Sequence, residues 1–476
     1  VKTEAGVRSR RLAIEVLTKL DKEGTYVNSA LAQALERTEL SARDKAFVTA
    51  LVMGVMRQRD LLDTKIASHS TRPLKKMPPI LVSILRLSIF QLEFMPEIPD
   101  SAVVDTSCKL ASVLGHRGLV SFTNGLLRNC ILKMQNGEGS KELSDGDNAE
   151  TIAQKYSTKY SMPAWLVERW ISRYGNEETA KLLAFAQTPP PLVLRACSLA
   201  ITSEGLSNIL INKNIQTRPG LLVPDCLIVE GKSSRLHKSV NDLPGFAEGM
   251  FSAQDEASAF VVNVLDPKAG EVIVDLCAAP GGKTTYASEL MNNSGQVFAI
   301  DKSDKRLDTL RLNRKRLGLT NIRTLTGDGT SLELPDAPDR ILIDAPCSGT
   351  GVISRHPDQR YRQGKTDLKS LVDLQRALLE NAAKQLKIGG VMVYSTCSIE
   401  PEENIENFNW FLENHKNFEP ENILAFLPQN AIVAWQSKNE NWLSEMKKDA
   451  EKGTIQFLPS RHDTSGFFIS RMRKVR

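Results

Sequence analysis

Val272-Ile273-Val274-Asp275-Leu276-Cys277-Ala278-Ala279-Pro280-Gly281-Gly282-Lys283-Thr284-Thr285 is the stretch that decides the fold. An apolar run, a turn of small residues and a glycine pair before Lys-Thr-Thr predict a strand, a tight loop and a helix start. The glycines let backbone approach a ligand, and a helix N-terminus offers N–H groups without internal partners. The loop departs from both G-x-G-x-x-G and G-x-x-x-x-G-K-[ST], because the first glycine is missing. Lys283 reads equally as a phosphate ligand or as a solvated first-turn lysine.

Downstream the pattern repeats. Val297–Ile300, Ile322–Leu325, Arg340–Ile343 and Val391–Tyr394 are strand-like runs with room for helices between them. That rhythm predicts an α/β domain with a mostly parallel, doubly wound sheet of the Rossmann-like kind. In such sheets ligands bind beyond the carboxyl ends of the strands. Asp301, Asp328 and Asp344 each end a strand, and Asp301 follows the loop at the distance, about 20 residues, at which an acid takes ribose hydroxyls. A generic nucleotide fold with incidental surface acids would explain the loop alone. It explains the loop and three strand-end acids less well.

Two cysteines lie at the same edge. Cys347 stands in Ile343-Asp344-Ala345-Pro346-Cys347-Ser348-Gly349 and Cys397 in Tyr394-Ser395-Thr396-Cys397-Ser398. One thiol there could be packing; two, one of them beside an acid, point to thiol chemistry on a bound substrate. The other five cysteines (108, 130, 197, 226 and 277) are scattered. No CxxC pair occurs, so no cysteine zinc site is expected, nor the dense disulfide framework of a small secreted domain.

Upstream the chain is organised differently. Residues 1 to about 135 read as all helix: Leu12, Val16 and Leu20 share a face, Ser41–Asp44 is a helix start, and Pro78-Pro79 precede the apolar Ile80–Phe94. Asp105–Leu114 and Val120–Met134 complete the set. Gln135–Glu150 is Gly, Ser and acid, and reads as a linker. Two short helices, Trp165–Tyr174 and Glu177–Phe185, are expected on either side of Gly175-Asn176, followed by the break Pro189-Pro190-Pro191. Residues 192–250 mix short strands with a helix near Leu206–Ile211. The expected plan is a helical domain over 1–138, a linker over 139–160, a small helical and α+β subdomain over 161–251, and the α/β domain over 252–476.

The 476 residues are 41% hydrophobic and 25% charged, with a net charge of +5. That composition is ordinary for a soluble globular protein. Residues 1–135 hold 20 Lys+Arg against 13 Asp+Glu, which points weakly to a polyanion partner. Arg8, Arg10, Arg11, Arg43, Lys45, Arg57, Arg59, Lys75 and Lys76 are candidate phosphate contacts. No apolar run reaches the ~20 residues of a membrane helix. No leader is expected, since Val1-Lys2-Thr3-Glu4 runs into Arg8 without an apolar core. A reducing, cytoplasmic setting is expected.

Taken together, Asp-Leu-Cys-Ala-Ala-Pro-Gly-Gly-Lys-Thr, Asp-Ala-Pro-Cys-Ser-Gly-Thr-Gly and Ser-Thr-Cys-Ser with Pro401-Glu402-Glu403-Asn404 resemble the RNA 5-methylcytosine methyltransferases. Arg355-His356-Pro357-Asp358 and Ser465-Gly466-Phe467-Phe468 fit the same family. The helical front end, with Leu40-Ser41-Ala42-Arg43-Asp44 and Phe122-Thr123-Asn124-Gly125-Leu126-Leu127-Arg128, resembles a NusB-type RNA-binding domain. The combination is similar to the small-subunit rRNA branch of that family. It implies 16S ribosomal RNA, free or in an assembling small subunit, as substrate. No membrane and no obligate protein partner are implied, and a monomer is expected.

The resemblance implies S-adenosylmethionine as cofactor and no metal. It places the methionine part on the backbone of Cys277, Ala278, Ala279, Pro280, Gly281, Gly282 and Lys283, the ribose hydroxyls on Asp301 and the adenine near Asp328, with Asp344 also lining the site. Carbon 5 of cytosine is a poor nucleophile, and thiolate addition to carbon 6 makes it enamine-like. Chemistry alone does not say which cysteine attacks. The family match makes Cys397 the nucleophile and Cys347 the thiol that assists product release. Asp344, kept protonated by burial, would contact ring nitrogen 3. Gln254 matches a segment lining the approach to the site, and Gln254, Arg355 and His356 are candidate RNA contacts. Two rival readings remain: a transfer-RNA cytosine-5 methyltransferase, and a non-catalytic RNA-binding antitermination or assembly factor.

Overall fold

The structure, a computed structural model, describes residues 2–136, 149–230, 240–334, 336–362, 364 and 367–476. Among these the chain divides into two compact units. The first takes residues 2–136 and 149–189 together with Ile353–Arg362; the second takes residues 190–230 and 240–352 and the described residues after Arg362.

The first unit is helical. Its helices are Lys2–Glu23, Val27–Glu36, Ala42–Arg57, Arg59–Ser68, Pro79–Phe94, Asp100–Leu114, Arg117–Gln135, Ala149–Lys159 and Ala164–Gln187. Ser41 caps the third, its hydroxyl accepting from Asp44 N at 3.2 Å. Pro79–Phe94 is the core helix, with every residue from Leu81 to Leu92 buried, as a helix apolar on most faces must be. Its one buried charge, Arg86, donates to both oxygens of Asp63 at 2.6 and 2.7 Å and to Asp21 at 2.7 Å. The last helix is broken where expected: Gly175 has φ 76° and ψ 171°, outside the helical region. The sixth starts at Asp100, directly after Pro99, five residues before the expected start at Asp105.

Several expectations need correction. Ala149–Lys159, assigned to a linker reaching residue 160, is a helix; residues 137–148 lie outside the described ones. Residues 161–189 group with the helical unit in the division into compact units. Arg10 and Arg57, candidate phosphate contacts, are buried. Arg10 donates to Gln91 Oε1 at 2.6 Å. Arg57 donates to Ser354 O at 2.9 Å, and its pKa is lowered to about 10 by burial and by Arg360.

The second unit holds two sheets. The smaller is antiparallel, in the order β2-β3-β1-β4, from β1 (Val193–Ala196), β2 (Thr217–Pro219), β3 (Cys226–Val229) and β4 (Phe251–Ala253). The expected boundary at 251/252 therefore cuts through β4. The larger sheet comprises β5 (Val272–Asp275), β6 (Gln296–Asp301), β7 (Ile322–Thr326), β8 (Arg340–Asp344), β9 (Val391–Thr396), β10 (Phe418–Pro420), β11 (Thr454–Phe457) and β12 (Phe467–Lys474). Its order is β10-β12-β9-β8-β5-β6-β7, with β11 also on β12. β5 to β9 are parallel and β12 runs antiparallel to β9. The chain winds outward from β5 through β6 to β7, then returns to β8 on the other side. The switch point lies between β5 and β8, where such folds bind ligands. Among the described residues no helix is long and apolar enough to cross a membrane.

Gly54 on helix Ala42–Arg57 packs directly against the Phe90 ring of helix Pro79–Phe94. A Cβ on Gly54 would lie 2.0 Å from Phe90 Cζ. Gly54→Ala is expected to destabilise that unit by roughly 1–3 kcal/mol through overpacking, and Phe90→Leu in the same chain should recover most of it. Urea denaturation of the four-member mutant cycle measures the coupling.

Candidate active site

β8 and β9 pair in register with Asp344 beside Ser395. Ser395 Oγ donates to Asp344 Oδ1 at 2.9 Å, and Ala345 N to Ser395 O at 2.9 Å. Beyond this anchor each chain turns, bringing Cys347 Sγ to 3.3 Å from Cys397 Sγ as two unbonded thiols.

Buried hydroxyls tie the two turns together. Ser348 Oγ lies 3.0 Å and Thr350 Oγ1 3.2 Å from Ser398 Oγ. Gly351 N donates to Cys397 O at 3.0 Å. Beneath them Glu403, fully buried, accepts from Ser348 N at 2.8 Å, from the Ser348 hydroxyl and from Gln375 Nε2 at 3.0 Å. Burial raises its pKa. Asn404 clamps the second turn: it accepts from the Thr396 hydroxyl and donates to Ser398 O at 2.9 Å and to Gln456 Oε1 at 2.8 Å.

The thiols are not equivalent. The Cys347 pKa is pushed well up, first by the hydrogen bond with Cys397, then by burial, with the charges of Cys397 and Glu403 adding. Either thiol can donate to the other across this contact.

The loop after β5 closes on Asp275. Thr284 Oγ1 donates to Asp275 Oδ2 at 2.7 Å and Cys277 N to Oδ1 at 3.4 Å. Burial, with the charge of Asp344, pushes the Asp275 pKa up to about 7. Gly281 has φ 106°, and a Cβ there would lie 2.6 Å from Leu310 Cγ, so this turn admits only glycine without displacement. Thr285 N makes the first internal bond of helix Gly282–Leu290, to Gly281 O at 2.9 Å. The N–H groups of Gly282, Lys283 and Thr284 precede it. Lys283 is not a solvated first-turn lysine: it is buried and donates to Asp344 Oδ2 at 2.7 Å. Asp344, 31% exposed, thus accepts from two donors. To donate to a base it must exchange one of these contacts.

Asp301 Oδ2 accepts from Ala279 N at 3.3 Å and pairs with Arg306 Nη1 at 3.2 Å. Asp328 accepts from Lys302 at 2.9 Å and from Thr330 N and Oγ1 at 3.0 and 2.7 Å. The Lys302 ammonium, with Thr330, lowers its pKa to about 2. Cys277 is a packing thiol whose pKa burial and Asp275 push up. Gln254 is buried rather than lining an open approach. Arg355 and His356 belong to the first unit. There His356 Nδ1 lies 3.0 Å from Asn28 Nδ2, and burial lowers its pKa.

Sequence reading gave no role to Asp275, Thr284, Gln375, Glu403 or Asn404. The last two were visible as an acid–amide pair directly after a strand-end thiol. Gln375, mid-helix and about 30 residues from either turn it supports, carried no local signal.

Three family descriptions match the chain: "16S rRNA methyltransferase RsmB/F" over residues 262–473, "NusB family" over 7–132, and the RsmF/B-like ferredoxin-like domain over 162–234. A Synechocystis protein named "Probable ribosomal RNA small subunit methyltransferase B" is 35% identical over 98% of this chain and 100% of its own. A Bacillus subtilis protein of the same name is 33% identical over 98% of both. The chain belongs to the RsmB/F family of 16S rRNA methyltransferases. Among solved structures, "Crystal Structure of PH0851" superposes with a TM-score of 0.78 at 27% identity, covering 98% of this chain and 99% of that one. NSun6 from Pyrococcus horikoshii "with SFG", an S-adenosylmethionine analogue, gives 0.56 at 25% identity, covering 66% of this chain and 98% of that one.

As an RsmB/F member the chain is a methyltransferase whose loop stability is pH-dependent through Asp275. The folded state holds that proton up to about pH 7, whereas an unfolded aspartate releases it near pH 4. The contribution is complete below about pH 4 and is lost as the pH rises through about 7. Asp275→Asn should flatten the stability profile across that window, measured as denaturation midpoints against pH.

Proposed function

We propose that this chain transfers a methyl group from S-adenosylmethionine to carbon 5 of a cytosine in 16S ribosomal RNA through a covalent cysteine adduct. The observation that carries the reading is the pair of thiols 3.3 Å apart at the ends of adjacent strands, beside Asp344. A packing role would not need a network of buried hydroxyls and a buried carboxylate holding both turns.

The residues present fit the cofactor. Gly281 and Gly282 keep the turn free of side chains, the helix N-terminus adds N–H donors, and the buried Gln254 Nε2 beside Gly282 has no partner among the described residues. Cys277 to Lys283 would hold the methionine part, Asp301 the ribose once the exposed Arg306 gives way, and Asp328 the adenine end. When bound, S-adenosylmethionine supplies an electrophilic methyl group.

Cys397 adds to carbon 6 of the flipped or unpaired cytosine. Asp344 carries a proton to ring nitrogen 3, which gains electron density as the sulfur adds, and gives up its Lys283 or Ser395 contact to do so. After carbon 5 is methylated, its hydrogen leaves as a proton to water, the freed electron pair re-forms the 5,6 double bond, and the bond from carbon 6 to Cys397 breaks with its electron pair going to sulfur. Cys347, holding its proton against that sulfur, stabilises the departing thiolate. Arg355 and His356 are proposed RNA contacts. Seven unpaired cysteines fit a reducing, cytoplasmic setting.

RNA containing 5-fluorocytosine should trap the wild-type protein as a denaturation-resistant complex. Cys397→Ala should abolish the complex and methyl transfer. Cys347→Ala should accumulate a complex with unmodified RNA while turnover falls at least a hundredfold. An adduct that survives Cys397→Ala and is lost in Cys347→Ala would reverse the roles. Methyl incorporation into free 16S rRNA, small-subunit particles and tRNA identifies the substrate.

A further inference from the structure

Gln254 is 8% exposed, and its Nε2 has no hydrogen-bond partner among the described residues. The opposite end of the amide is fixed. Gln254 Oε1 accepts from Arg195 Nε at 2.7 Å. A guanidinium only donates, so the atom facing it must be the oxygen, which settles the amide orientation. Arg195 cannot turn away: it is fully buried, it is paired through both terminal nitrogens with the equally buried Glu289, and it lies 4.2 Å from the centroid of the Tyr286 ring.

A chain of fixed contacts therefore presents one unsatisfied N–H2 group. It faces Gly282: a Cβ built there would lie 3.5 Å from both Cδ and Nε2 of Gln254. Gly282 opens a nine-residue helix, Gly282–Leu290, whose first N–H groups lack internal partners. A buried donor left unpaired costs about 1–3 kcal/mol. A buried donor beside a helix N-terminus suits an anion, whose charge the helix dipole also favours. Lys283 adds no competing positive charge, because its ammonium is engaged by Asp344.

We propose that Gln254, oriented by Arg195, is a cofactor-binding residue that donates through Nε2 to the carboxylate at the amino-acid end of S-adenosylmethionine, at the N-terminus of helix Gly282–Leu290. The inference rests on the cofactor reading above and moves Gln254 from the RNA to the cofactor. Arg195, which touches no ligand, is a positioning residue.

The test compares two ligands that share adenosine and sulfur but differ in the amino-acid end that bears the carboxylate: S-adenosylhomocysteine and 5′-methylthioadenosine, with affinities read by calorimetry on the full chain. Gln254→Leu keeps the volume and removes the donor; Gln254→Glu presents a like charge. Both variants should weaken S-adenosylhomocysteine at least tenfold, Gln254→Glu the more, while 5′-methylthioadenosine stays within about twofold of wild type. Equal weakening of both ligands would make Gln254 a packing residue and overturn the proposal, as would unchanged S-adenosylhomocysteine affinity. If wild type binds neither ligand, the cofactor reading itself falls.

Discussion

Everything at this site depends on the parallel pairing of β8 with β9 in one register. Asp344 stands opposite Ser395 and is bonded to it side chain to side chain. Because strand side chains alternate between faces, a slip of one residue would send these two to opposite sides of the sheet. Cys347 and Cys397 lie only three and two residues further on, so the register is inherited almost directly as the distance between the thiols. Lys283 adds the third anchor by reaching from the loop after β5 to the same carboxylate. Asp344 is thus where three strand ends meet, and it lies beside the point at which the sheet's winding reverses.

The cost of this arrangement is concentrated in two buried acids. Asp275 and Glu403 both have pKa values raised by burial, and neither pairs with a cation in the contacts described. Each instead receives hydrogen bonds from groups that must be held still: Thr284 and the loop backbone for Asp275, Ser348 and Gln375 for Glu403. A buried carboxyl satisfied only by such donors is sensitive to their geometry, since losing one leaves a polar group unpaired where water cannot replace it. That sensitivity fixes the loops. The Arg195–Glu289 pair makes a different trade: two opposite charges are fully buried together, weak evidence for stability but a strict constraint on position. Gln254 takes its orientation from that constraint.

The sequence was informative where a residue's role is local. Strand runs, the glycine turn, the strand-end acids and the break at Gly175 are short-range patterns, and each stands in the structure close to where periodicity puts it. The helical front end was legible for the same reason. Long-range choices were not. The helix Ala149–Lys159 is only moderately amphipathic and follows a stretch of Gly, Ser and acids, so it read as linker. Arg10 and Arg57 look like surface cations because their burial depends on carbonyls and amides far along the chain, Gln91 and Ser354 among them. Lys283 could not be placed until Asp344, 61 residues away, was seen against it. Glu403 and Gln375 support turns from which they are separated by up to a whole helix.

The two thiols were the most ambiguous residues in the sequence, because chemistry alone treats them alike. The structure sets Cys347 3.3 Å from Cys397 and near Glu403, and the hydrogen bond between the thiols, with burial, raises its pKa. In the proposed cycle, a thiol that holds its proton would be a poor attacking group but a good partner for a sulfur that must alternate between bonded and free. As an S–H donor, Cys347 would stabilise negative charge on the Cys397 sulfur before attack and again on departure. A hydrogen bond to a charged acceptor is worth more than one to a neutral acceptor, so the contact would favour both ends of that cycle over the adduct between them. The adduct would thereby be kept transient, as turnover through a covalent enzyme–RNA bond requires.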